Sequence, residues 1–140
     1  MKKLAILILL IVSVNLSAQT TSQKWLTDYK EAMKVSERLN NPILVFVTNN
    51  ISGEGNDLLQ NQFFNSEEFA KYRSSFVLLK LDTTANPYHN RLAAHYTNSN
   101  IIPALVLIDK NGNPIDKALT EINSKNISEF LSFLKTKTKY

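Results

Sequence analysis

Apolar residues follow two rhythms along the chain: short continuous runs, and stripes that recur every three or four positions. Trp25, Tyr29, Ala32, Ser36 and Leu39 form a stripe reaching Asn40-Asn41, and Thr20 with Gln23 three residues on makes a capping box in front of it. This predicts a first amphipathic helix, ended by Pro42. Ile43-Leu44-Val45-Phe46-Val47 is then a continuous run of β-branched and aromatic residues, as in a central strand covered on both faces. After a loop from Gly53 to Gly55, Leu58, Leu59, Gln62 and Phe63 carry a helical face. Asn65 is placed to cap a further turn, with Glu68 at its third position, so two short helices or one kinked one are expected.

The second strand is Ser75 to Asp82, and Asn86-Pro87 reads as a cap followed by proline at the first position of a helix whose inner face is Leu92, Ala93 and Tyr96. Pro103 to Asp109 is a third strand, and Asn111-Gly112 signals a hairpin that returns Ile115 to Leu119 antiparallel to it. Asn126 is placed to cap a last helix, with Ile127, Phe130, Leu131 and Leu134 as its stripe. Helical crossovers of this length suit parallel strands, so the first three strands are expected parallel with an antiparallel edge added by the hairpin. The expected class is α/β: a central mixed four-stranded sheet with helices on both faces.

The first eighteen residues stand apart from this scheme. Met1-Lys2-Lys3 is a short basic start, and Leu4 to Val14 is an apolar run broken only by Ser13, shorter than the about 20 residues a spanning helix needs. Leu16-Ser17-Ala18 supplies a small residue for cleavage, so residues 1-18 are expected to be a signal peptide and 19-140 a single domain. Export to the periplasm or the extracellular space follows. A lipid anchor would need a cysteine at the cleavage point, and the chain has none, so no stable membrane anchor is expected after cleavage.

Absence of cysteine also removes disulfides and every thiol reaction, leaving packing alone to hold the domain. The pI of 9.3 overstates the charge of the mature chain. Two of the sixteen Lys and Arg belong to the leader, so fourteen face twelve acids, and the balance of +2 is spread along the chain. That excludes a nucleic-acid footprint. His89 and His95 stand six apart, outside the spacing of three or four that puts two metal ligands on one helical face, so neither a metal nor a cofactor is expected. Trp25, Phe46, Phe63, Phe76 and Phe130 fall on core-facing positions.

The helix-strand order, with Asn41-Pro42-Ile43-Leu44-Val45 entering the first strand, Leu79-Lys80-Leu81-Asp82 closing the second, and Ile102-Pro103 leading Ala104 to Asp109 into Lys110-Asn111-Gly112, resembles the thioredoxin-like superfamily, in particular its secreted members. The resemblance covers nearly all of the chain after the leader. It implies a Cys-x-x-Cys motif in the loop after the first strand. A gapless count places Gly53 and Asn56 where the two cysteines would stand, so Gly53-Glu54-Gly55-Asn56 replaces the redox motif. It also implies that Pro103, preceded by Ile102, faces that loop in the cis form and that the backbone beside it pairs with an extended bound polypeptide. Asp82 is either the acid some relatives keep beneath the dithiol or the cap of the turn before Thr83-Thr84.

Without a thiolate, disulfide exchange by the family's route is closed, and no serine stands at either position with a base beside it. Gly53 and Gly55 either make the turn or expose N-H groups to an anion or a peptide carbonyl, and Asp57 in the same turn opposes an anion. The expected function is a redox-inactive domain of the cell envelope, a monomer that binds a polypeptide partner over Gly53, Glu54, Gly55, Asn56, Ile102 and Pro103 as an adaptor or chaperone-like module. The alternatives are an enzyme using a non-cysteine or borrowed-thiol chemistry, and an interaction protein using another surface.

Overall fold

The computed structural model describes residues 23-138. The leader, the Thr20 cap and the domain's ends at 19-22 and 139-140 lie outside the described residues. Eight elements carry the architecture. They are α1 (Tyr29–Leu39), β1 (Ile43–Thr48), α2 (Glu54–Leu58), α3 (Glu67–Tyr72), β2 (Val77–Asp82), α4 (Pro87–Thr97), β3 (Ala104–Ile108) and α5 (Ser124–Thr136). A π-helical turn, Leu59–Phe64, continues α2, and a 3-10 turn, Arg73–Ser75, follows α3. No helix among these is long and apolar enough to cross a membrane.

β1 lies in the middle of the sheet, in the order β2-β1-β3. All six of its residues are buried, because one face of the sheet carries Leu44, Phe46, Leu78, Leu105 and Leu107 under α5 and the α2-α3 segment, while the other carries Ile43, Val45, Val47, Leu79 and Val106 under α1 and α4. Each such side chain taken fully from water contributes about 1.5-3 kcal/mol, so these two layers are the main source of stability. β2 is parallel to β1, whereas β3 is antiparallel to it, with Val47 opposite Ala104. The expectation of three parallel strands is corrected here: a parallel pair requires a long crossover, but a long crossover does not require a parallel pair.

The sheet has three regular strands rather than four. The return segment touches β3 at Ile108-Pro114 and Leu105-Leu119 only. Pro114 is tolerated in the first bridge because its bonds come from the neighbours, Asp109 N-H donating to Asn113 C=O and Ile115 N-H to Leu107 C=O at 2.8 Å each, and Asp116 then turns left-handed at φ 60°, so the backbone between the two bridges leaves the strand path. The other edge is finished similarly: Leu26 bridges Leu79 in parallel, donating to Leu78 C=O and accepting from Lys80 N-H, each at 2.8 Å. The segment expected to open the first helix is therefore extended. Asp28 is the actual cap, its carboxylate accepting from Glu31 N-H at 2.8 Å, and Trp25 lies ahead of the helix while Leu39 is exposed.

Two other caps move by a few residues. Ser66 replaces Asn65, accepting from Phe69 N-H at 3.1 Å, and Asn123 replaces Asn126, accepting from its N-H at 2.8 Å. The π turn, marked by Asn65 N-H donating to Gln60 C=O at 3.0 Å, widens the helix so that Leu59 and Phe63 are buried and Phe64 packs beside them while Gln62 faces water.

The hairpin turn contains three residues, Lys110 to Gly112, closed by Gly112 N-H donating to Asp109 C=O at 2.9 Å. Gly112 has φ 82°, and a Cβ there would stand 2.8 Å from Tyr29 Oη and 3.3 Å from Tyr96 Oη, two hydroxyls that hydrogen-bond each other at 2.6 Å. Gly112→Ala therefore combines a left-handed conformation with a collision and is expected to cost about 1-3 kcal/mol. Urea unfolding should show a lower midpoint at unchanged slope. An unchanged midpoint would mean that the tyrosine pair yields freely.

Candidate functional site

The loop after β1 is built from asparagine side chains folding back on their own backbone. Thr48 Oγ1 accepts from Asn50 N-H at 3.0 Å, Asn49 Oδ1 accepts from Ile51 N-H at 3.1 Å, and Asn50 takes φ 57°, a conformation asparagine tolerates. Asn56 Nδ2 then donates to Ile51 C=O at 2.5 Å, closing the loop across its mouth. This ties Asn56 inward. Gly53 precedes α2 with an extended φ of 178° and open space where a side chain would stand, and Asp57 N-H donates to its carbonyl at 3.0 Å. Glu54 is exposed.

Gly55 is the residue that meets the proline. A Cβ on it would lie 3.2 Å from Pro103 Cδ and 3.3 Å from Cγ, with Ile122 at 3.8 Å. The Ile102-Pro103 bond is cis, as the resemblance implied. The fold thus brings the loop and the proline together through Gly55, while Gly53 points to open space and Asn56 is engaged with Ile51.

Behind the loop, Asp82 caps the turn after β2. Its Oδ1 accepts from Thr84 N-H at 2.9 Å and from Thr84 Oγ1 at 2.7 Å, and Asn50 Nδ2 donates to Oδ2. The Thr84 hydroxyl and then the Thr84 N-H hold the Asp82 carboxyl below its ordinary value of 3.8. Of the two readings of Asp82 the capping one matches these contacts. His89 is buried beside it and donates from Nδ1 to the Asp82 carbonyl at 2.8 Å, whereas His95 is exposed. No cluster of three or more potential metal ligands occurs among the described residues.

Sequence reasoning missed three residues of this surface. Asn50 orders the loop, and Ile51 and Ile101 are 63% and 58% exposed on the two segments that meet at Gly55 and Pro103. The Thr48-Asn49-Asn50 string carried the signal for the first, since adjacent asparagines after a strand favour side-chain-closed turns. Periodicity carried none for the isoleucines.

A central mixed sheet between two helical layers, with a cis-proline before β3 facing the loop after β1, is the thioredoxin-like fold. The thioredoxin-like family profile matches residues 24–110, and the chain belongs to that family. Among solved structures it is similar to a thioredoxin from Thermus thermophilus, at 17% identity over 81% of this chain and 86% of that one with TM-score 0.63. A DsbH oxidoreductase shares 24% identity over 80% and 84%, TM-score 0.61, and a disulphide isomerase from Xylella fastidiosa Temecula1 shares 17% over 80% and 98%, TM-score 0.57. At these identities the likeness is one of fold. No curated protein matches the sequence at a significant level.

Two outcomes are expected. Gly55→Val, with no room beside the proline ring, should cost about 1-3 kcal/mol by overpacking, while Gly53→Ala should change the unfolding midpoint hardly at all. Equal midpoints would show that the ring gives way. For Asp82 the carboxyl is more acidic folded than unfolded, so the folded state binds fewer protons in the acid range. Its contribution is complete above the unfolded value and is lost as pH falls through the lower folded value. Asp82→Asn should flatten the acid limb of a stability-pH curve below about pH 4; an unaltered limb would assign that limb to other groups.

Proposed function

We propose that the chain is a redox-inactive thioredoxin-like domain of the cell envelope that binds an extended polypeptide across the loop after β1 and the segment before β3, as an adaptor or chaperone-like module. The carrying observation is the pair of exposed isoleucines, Ile51 and Ile101, on the two segments joined at Gly55 and Pro103. Large apolar side chains left in water on adjoining segments favour a partner. Between them, neither the N-H nor the C=O of Ile102 takes part in a hydrogen bond among the described residues, which leaves that backbone able to pair with an added strand. The chain has no thiolate, so binding here is not coupled to disulfide exchange. Placement in the periplasm or outside the cell rests on the leader pattern of residues 1-18.

The test is a photo-crosslinking residue at Glu54, with Lys135 as a remote control, in the protein expressed in its host and analysed by mass spectrometry. A product found at 54, absent at 135 and lost in Ile101→Glu is expected. Ile101→Glu places a charge in a desolvated contact and should weaken capture about tenfold or more. Products shared by both positions, or indifferent to Ile101→Glu, would assign the working surface elsewhere.

A further inference from the structure

The face of the sheet under α2 holds a lysine where the pattern demands an apolar residue. Lys80 follows Leu78 on that face of β2, and its strand neighbours Leu79 and Leu81 are fully buried. Opposite it in register stands Phe46, two positions before the Thr48-Asp82 pair that begins the loop, so the lysine lies about 7 Å from the loop's base. Lys80 is half-buried and makes no ion pair or side-chain hydrogen bond among the described residues. The acid nearest along its strand, Asp82, is hydrogen-bonded by Thr84 and Asn50, and the Lys80 charge acts on it only at a distance, as the smallest of the influences that lower its pKa.

Lys80 lines a recess of about 220 Å³ with Trp25, Phe46, Phe64 and Gln60. Its walls are aromatic: Phe46 and Phe64 meet edge to face at 4.9 Å between ring centres, and Trp25 meets Phe64 at 5.5 Å. The polar groups are the ammonium of Lys80, the indole N-H of Trp25, which has no acceptor among the described residues, and the exposed amide of Gln60. No acidic side chain lines it. A recess lined by aromatic rings and by a cation, with no carboxylate, selects a ligand with an apolar body and a negative head. A cavity of roughly 150 Å³ accommodates benzene, so this one has room for a phenyl ring with a carboxylate attached.

We propose that this recess binds a small aromatic carboxylate, with the ring against the open side of the Trp25, Phe46 and Phe64 cluster and the carboxylate on Lys80. The site is separate from the polypeptide surface and does not rest on it. A charge-assisted hydrogen bond from the ammonium fixes the head, and edge-to-face ring contacts hold the body. The carboxylate comes either from a free acid or from the C-terminal residue of a chain ending in phenylalanine.

Trp25 is the only tryptophan, so its emission reports directly on the site. Phenylacetate titrated into the protein should change that emission saturably in the millimolar range or tighter, about what ten well-placed heavy atoms support. Phenylacetamide, of the same shape without the charge, should bind at least about tenfold more weakly, and Lys80→Met should weaken phenylacetate similarly while Lys80→Arg retains it. The comparison of acid with amide uses the unaltered protein and stands even if a variant folds poorly. N-acetyl-Ala-Ala-Phe binding more tightly than phenylacetate would name a chain end as the source, and weaker binding the free acid. Absence of a saturable change, equal binding of acid and amide, or indifference to a folded Lys80→Met would overturn the proposal.

Discussion

Everything in this molecule is arranged around the need to dry both faces of β1. Its five apolar residues alternate between two separate layers, and each layer needs helices on its own side of the sheet to cover it. The parallel partner β2 and the antiparallel partner β3 extend those layers sideways, and the helical segments between strands are the covers. A polar residue at Val45 or Leu44 would remove support from one layer and unsettle the other through the shared backbone. The loop after β1 is launched from a strand that is paired on both sides and buried along its whole length.

That constraint explains how the fold stands in a chain without cysteine. The loop is closed by asparagine and threonine hydrogen bonds and by the approach of Gly55 to Pro103, none of which involves sulfur. The architecture therefore stands on contacts that need no sulfur. What the surface there presents is apolar, with Ile51 and Ile101 in water.

The central elements were legible because they answer to local rules. The run Ile43 to Val47 reads as a covered strand, Asn86-Pro87 as a helix start, and the stripe from Ile127 to Leu134 as an inner face, and each is so. What misled were cases in which two local rules competed. Asp28 and Thr20 are both good caps, and the bridge of Leu26 to Leu79 is a long-range contact that no periodicity shows. The direction of β3 depends on how the chain turns after α4, where Asn98 is left-handed, and crossover length does not encode that turn. At the site, the glycines and the proline were visible as residues, but Gly55 rather than Gly53 lying against the ring is a fact of three-dimensional approach.

The edges of the sheet carry a consequence of their own. On one side a single bridge at Leu26, and on the other a return segment interrupted at left-handed Asp116, replace full outer strands. Straight outer strands offer rows of open donors and acceptors to any similar molecule nearby, and irregular ones do not. Among the described residues neither edge is a full regular strand, which lessens the tendency of a sheet so rich in valine, leucine and isoleucine to template fibres.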